Sequence, residues 1–199
     1  MDTQKLGFTL GQAVIRARDK RLPDISKIVG KVDGDTSKEY LALLMWTATW
    51  TVSRTLGQYA EPTLDAMHAL LYYAEMIDKT KFETFIHDRY AGYYAAIRDV
   101  SEKSEGMGLF HVSQYFLACC HSSGSSVKYE ELKIALLLEV EKAGIQLRDG
   151  VVEKIRHLYD TKNLPTCPMD IQKITEITLY FAGFGQDVES IVLDFVKEL

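Results

Sequence analysis

The apolar positions of this chain recur with the period of a helix almost throughout, and in one stretch they stop keeping to a single side. From Tyr40 to Ser53 the sequence reads YLALLMWTATWTVS, uncharged, with Leu41, Leu43, Leu44, Met45, Trp46, Trp50 and Val52 spread around the full circumference of a helix. A helix that is apolar all round is buried all round. The run covers 14 residues before Arg54, short of the about 20 needed to cross a bilayer. It therefore predicts a buried central helix over 36–58. Thr36 and Glu39 have the T-x-x-E spacing of a capping box at its start.

Amphipathic segments on either side could wrap such an element. The spacing predicts a first helix over 3–20, with Pro23 and Gly30 in the loop beyond it. Pro62 suits a first helical position, and Leu64, Met67, Leu71 and Ala74 step along one face of a helix ending near Asp78. Thr80 and Glu83 make a second capping box. The helix after it places Phe82, Ile86, Tyr90 or Tyr93, and Ile97 on one stripe and Lys81, Asp88, Arg89 and Arg98 on the wet side. Beyond SEKSEGMG, residues Leu109, Val112, Phe116 and Cys119 mark another largely buried helix, closed by HSSGSS. Helices over 128–142 and 148–159 follow; the first buries Leu132, Leu136, Leu137, Leu138 and Val140, the second Val152, Ile155 and Tyr159. Pro165 and Pro168 bracket a loop, 170–181 resumes the period, and Gly183-Phe184-Gly185 breaks it. Asp187 then reads as the N-cap of a last helix carrying Val188, Ile191, Val192, Phe195 and Val196. No strand-like alternation of useful length appears, and no repeat at the periods of helical solenoids. The expected fold is all-α: a single domain over 1–199, a globular bundle of eight or nine helices around 36–58, with 122–127 as the place for any subdomain boundary.

Composition refines this picture. At 199 residues and 47% hydrophobic the chain can bury a substantial core. Cys119, Cys120 and Cys167 are odd in number, and adjacent cysteines are poorly placed to bridge each other. The N-terminal MDTQKLGFTLGQAVIRARDK lacks the uninterrupted apolar stretch of a signal peptide. Together these place the protein in the cytoplasm, with no membrane span. The net charge of -5 argues against a general nucleic-acid binder, and no nucleic-acid signature accompanies the basic residues. Charge is nevertheless uneven: Lys5, Arg16, Arg18, Lys20, Arg21, Lys27 and Lys31 against Asp2, Asp19 and Asp24 give residues 1–32 a charge of 7 minus 3, or +4, and leave -9 for the rest. That segment could serve an anionic partner, or be a solvated face attracting the chain's own acidic body.

The search for chemistry returns negatives. Phosphate-loop, dinucleotide, nucleophile-elbow, H-E-x-x-H and C-x-x-C signatures are absent. The loop from Asp33 to Ser37 has Lys38 and Leu44 where a calcium loop needs glycine and glutamate, so it reads as a turn and cap. Glu83 with His87 and Glu153 with His157 stand one helical turn apart, the wrong spacing for the Glu-x-x-His of di-iron bundles. No metal and no cofactor is expected. Eleven tyrosines and two tryptophans are more suggestive: if a ligand pocket exists, Trp46, Trp50, Met67, His68, Tyr72 and His111 are the residues to line it. The lack of a catalytic constellation points to a non-enzymatic protein-interaction or regulatory module, with a protein partner or self-association. The alternative is a helical bundle, conceivably an enzyme, that binds a small apolar or aromatic ligand.

Overall fold

The computed structural model describes residues 2–30, 34–75, 78–99, 105–122, 127–145, 147 and 150–197. Among them are eight α-helices and no strand: α1 (Thr3–Val29), α2 (Gly34–Thr55), α3 (Ala60–Glu75), α4 (Lys79–Asp99), α5 (Glu105–His121), α6 (Tyr129–Lys142), α7 (Val151–Leu158) and α8 (Ile171–Lys197), with a 3-10 turn at Gly57–Tyr59. The fold is all-α, as the periodicity predicts. No helix among the described residues is long and apolar enough to cross a membrane. The chain divides into two compact units, Met1–Ala91 with Glu176–Leu199, and Gly92–Thr175. Of the segment 122–127, residues 123–126 lie outside the described residues, and Ser122 and Val127 belong to the second unit.

In the first unit every residue from Tyr40 to Thr49 is buried, so α2 is enclosed on all sides. Helix α1 packs on α3 and α2, and its approach to α3 is close because Gly7 and Gly11 have no side chain. A Cβ on Gly7 would stand 2.6 Å from Ala66 Cβ, and one on Gly11 2.7 Å from Leu70 Cδ2. Two cation–π contacts, Lys5 over Phe195 and Arg21 over Tyr180, tie α1 to α8 and show that the two helices run in opposite directions.

Several expected boundaries are corrected. Helix α1 passes through Pro23 and ends at Gly30, whose φ of 82° is the left-handed cap. Proline in a helix interior costs about 3 kcal/mol, but Ile25, Ile28 and Val29 are buried beyond it, each contributing about 1.5–3 kcal/mol. Asp78, rather than Thr80, caps α4 through the Lys81 amide at 3.0 Å. The break at Gly183-Phe184-Gly185 does not occur: α8 is one helix, because Ile174, Ile177, Phe181, Phe184, Val188 and Val192 keep their three- and four-residue steps straight through the glycines, and all six are buried. Asp170 caps it, accepting from the Lys173 amide at 3.1 Å, while Asp187 lies in its interior. In α3 the buried residues are Ala60, Thr63, Met67 and Leu71, and Ala74 is exposed.

The second unit has its own enclosed element: Val112 to Cys120 of α5 are all buried. Tyr115 stands against Gly92, stacks edge-on to Tyr93 and Tyr129 at 5.3 and 6.1 Å, and donates to the Val127 carbonyl at 2.8 Å. Two predictions of burial fail here. Leu136, Leu137, Leu138 and Val140 of α6 are only half-buried, and Tyr159 is 46% exposed.

Candidate functional site

The residues expected to line a pocket are distributed as follows. Trp46 and Trp50, one turn apart on α2, stack at 5.7 Å, and Arg54 covers Trp50 at 4.6 Å. Trp46 and Met67 have no exposed surface; they fill space rather than line it. His68 is half-buried, its Nε2 3.2 Å from the Tyr90 hydroxyl, which lies 3.1 Å from the Thr49 hydroxyl. Desolvation pushes the imidazole pKa below 6.5, partly opposed by Asp65, so the ring is neutral near pH 7. Tyr72 stacks on that ring at 6.3 Å and meets Phe82 edge-on at 5.2 Å. His111 belongs to the second unit, where its Nδ1 lies 3.4 Å from the Tyr129 hydroxyl. The first unit thus gathers His68 and Tyr72 with Tyr90 and Thr49, two residues the sequence did not nominate.

A second polar feature was also missed. Glu39, read as a cap, and Arg89, read as facing water, form a buried bidentate ion pair with Nε to Oε2 at 2.6 Å and Nη2 to Oε1 at 2.5 Å. Burial pushes the Glu39 carboxyl above its usual value, and the guanidinium holds part of that rise back. Arg89 also lies over the Phe85 ring at 4.9 Å.

The more open geometry is in the second unit. The segment after α7 turns at 161–163 and then passes through Pro165 and Pro168, which lack an N–H to donate, before α8 begins. It is anchored at its start by Asp160, which accepts from the Lys162 amide at 3.1 Å, and at its end by buried Gln114, which donates to the Pro168 carbonyl at 2.9 Å. Leu164, Pro165 and Thr166 form a ridge with a trough on either side. One trough, of about 250 Å³, is walled by Ser122, Val127, Glu131 and Asn163. The other, of about 390 Å³, runs along α6 against Ala135, Leu138, Glu139 and Lys142, with Thr161 and Cys167 opposite. Those four α6 residues share one face through i, i+3, i+4 and i+7 spacing, so the half-buried Leu138 is exposed to the trough.

The lining of this trough is mixed, with Ala135, Leu138, Leu164 and Pro165 among Glu139, Lys142, Thr161 and Thr166. Glu139 and Lys142 pair at 2.5 Å along its edge. Burial, helped by the negative Glu139, pushes the Cys167 thiol up to about 11, so it stays protonated at neutral pH and is a poor nucleophile. Among the described residues no group of three or more His, Cys, Asp or Glu side chains is arranged to hold a metal ion. The three grooves with described linings, the two above and one of about 400 Å³ beside Lys5, Phe8 and Gln12 of α1, are open to solvent. Comparison of the chain with protein-family models, curated proteins and solved structures gives no match.

Proposed function

We propose that this chain is a non-enzymatic helical module that binds other proteins, itself included, and that the trough along α6 receives an apolar segment of a partner. The observation that carries the reading is that trough, which opens to solvent and presents Leu138, Leu164 and Pro165 beside the paired Glu139 and Lys142. Protein interfaces combine apolar and polar groups on an open surface, whereas a small-molecule site encloses most of its ligand. None of the three cysteines forms a disulfide, which accords with a cytoplasmic location.

A photoreactive residue at position 138, with one at exposed Lys154 as control, tests this in cells. Partner peptides crosslinked from position 138 only, and lost when the neighbouring Leu164→Asp is introduced with helical circular dichroism intact, are the expected result. Identical crosslinks from both positions, or crosslinks indifferent to Leu164→Asp, overturn it. Binding of a small apolar or aromatic ligand is the second reading, favoured by the neutral, desolvated His68 under the Tyr72 ring. A ligand-sized adduct in the native mass spectrum, lost with His68→Gln, would establish that reading instead.

A further inference from the structure

The outer face of α1 carries the one long basic stripe of the first unit's described helices. Lys5, Arg16 and Lys27 are spaced eleven residues apart, close to three turns of about 3.6 residues, and Lys20 lies one turn beyond Arg16. All four are exposed, and Arg16, Lys20 and Lys27 make no ion pair among the described residues. The opposite side of the helix is the buried one, with Leu10, Val14 and Ile25.

Helix α8 carries a matching acidic stripe. Glu176, Asp187 and Asp194 are eleven and seven residues apart, again on one face, with Asp187 and Asp194 exposed, Glu176 half-buried and Asp194 paired along the helix with Lys197 at 3.1 Å. Going round α8 from its buried stripe, one meets Tyr180 and Phe195, which touch α1, and then the acids. The acidic stripe is therefore on the α1 side of α8, beside the basic one. Gly183 lies within it, with open space over its Cβ position.

We infer that this face docks on the same face of a second copy, forming a two-fold dimer in which the basic stripe of each copy meets the acidic stripe of the other. The register follows from the two ring contacts, which pair Lys5 with Phe195 and Arg21 with Tyr180, sixteen residues of α1 against fifteen of α8. With the two-fold axis parallel to the helices, α1 of one copy lies over α8 of the other at the same level. Lys5 then stands beside Asp194, Arg16 about two residues from Asp187, and Lys27 about two from Glu176, each an axial offset of about 3 Å or less at 1.5 Å per residue. Such an arrangement is closed and self-complementary, as most homodimers are. A long nucleic acid or an anionic membrane could match the cations but not the acids adjacent to them. The inference deepens the self-association part of the reading above and uses no residue of the α6 trough, so either can fail alone.

Charge reversal tests it on the full chain by sedimentation at about 50 mM and 500 mM salt. The wild type is expected at twice its 22.6 kDa in low salt and to dissociate in high salt, where screening shortens to a few ångströms. Lys5→Glu with Arg16→Glu reverses two positions of the basic stripe, and Asp187→Lys with Asp194→Lys reverses the two acidic positions that face them in the dimer. Each variant alone is expected to associate at least tenfold more weakly, and an equimolar mixture of the two to regain the dimer. A wild type that is monomeric at about 100 μM in low salt, a dimer indifferent to either reversal, or a mixture that stays dissociated overturns the proposal. Low-salt binding of a 20-base-pair duplex or phosphatidylserine vesicles by a monomeric wild type would assign the stripe to that anion instead.

Discussion

Replacing Arg89 by methionine keeps most of the side chain's length and its contact with Phe85 but removes the charge that Glu39 faces. The two side chains are 5% and 7% exposed and joined by two hydrogen bonds. An exposed ion pair contributes about 0–1 kcal/mol; removing one member of a buried pair strands the other and costs about 3–5 kcal/mol. Against a total stability of order 5–15 kcal/mol that is a large loss, and with a urea dependence of about 3 kcal/mol per molar it lowers the unfolding midpoint by about 1–2 M. Both tryptophans are on α2, in the same unit as the pair, so intrinsic fluorescence during urea titration reports on the right structure. Glu39→Gln completes a double-mutant cycle: with neither charge left, Glu39→Gln/Arg89→Met is expected to cost less than the sum of the single changes by about 2 kcal/mol or more. A loss below about 1 kcal/mol for Arg89→Met, or additive single changes, would refute the buried pairing of α2 with α4.

Two further outcomes follow from particular residues. Because burial lowers the His68 pKa below 6.5, the fold favours the neutral ring; the stability this contributes is complete above about pH 6.5 and is lost as pH falls through the lower folded value. An NMR titration is expected to place the His68 midpoint below 6.5, and His68→Gln to flatten the decline in stability between pH 7 and 5; a midpoint at or above 6.5 would be incompatible with the desolvated ring. Gly7→Ala forces a methyl against α3 and is expected to cost about 1–3 kcal/mol. Gly183→Ala meets nothing within 4 Å and is expected to stabilise by about 0.5–1 kcal/mol, so thermal melts that rank the two in the opposite order would contradict the packing described.

The enclosed α2 and the all-helical class were legible in the sequence because burial on every side requires apolar residues on every side, a pattern local to Tyr40–Thr49. The continuity of α8 is legible too: the step from Phe181 to Phe184 to Val188 keeps phase across two glycines, and burial of that stripe outweighs the weak helix-breaking tendency of glycine. The passage of α1 through Pro23 was not, since the burial of Ile25, Ile28 and Val29 depends on what lies against them. Of the nominated site residues, His68 and Tyr72 come together because four-residue spacing puts them on one face of α3, whereas His111 lies in another unit. Glu39 and Arg89 are fifty residues apart, and each had a plausible local role, one as a cap and the other in solvent; no local pattern carries a long-range pairing. The same holds for the α6 trough. Periodicity marks Leu138 as apolar, but whether a neighbour covers it depends on where the 160–168 segment is held by Asp160, Gln114 and two prolines. The sequence by itself determined which elements form and which faces must leave water, because those follow from local period and transfer free energy. Only the tertiary structure decided which faces meet, which charges are buried together and which apolar side chains remain uncovered, because each depends on contacts between residues far apart in the chain.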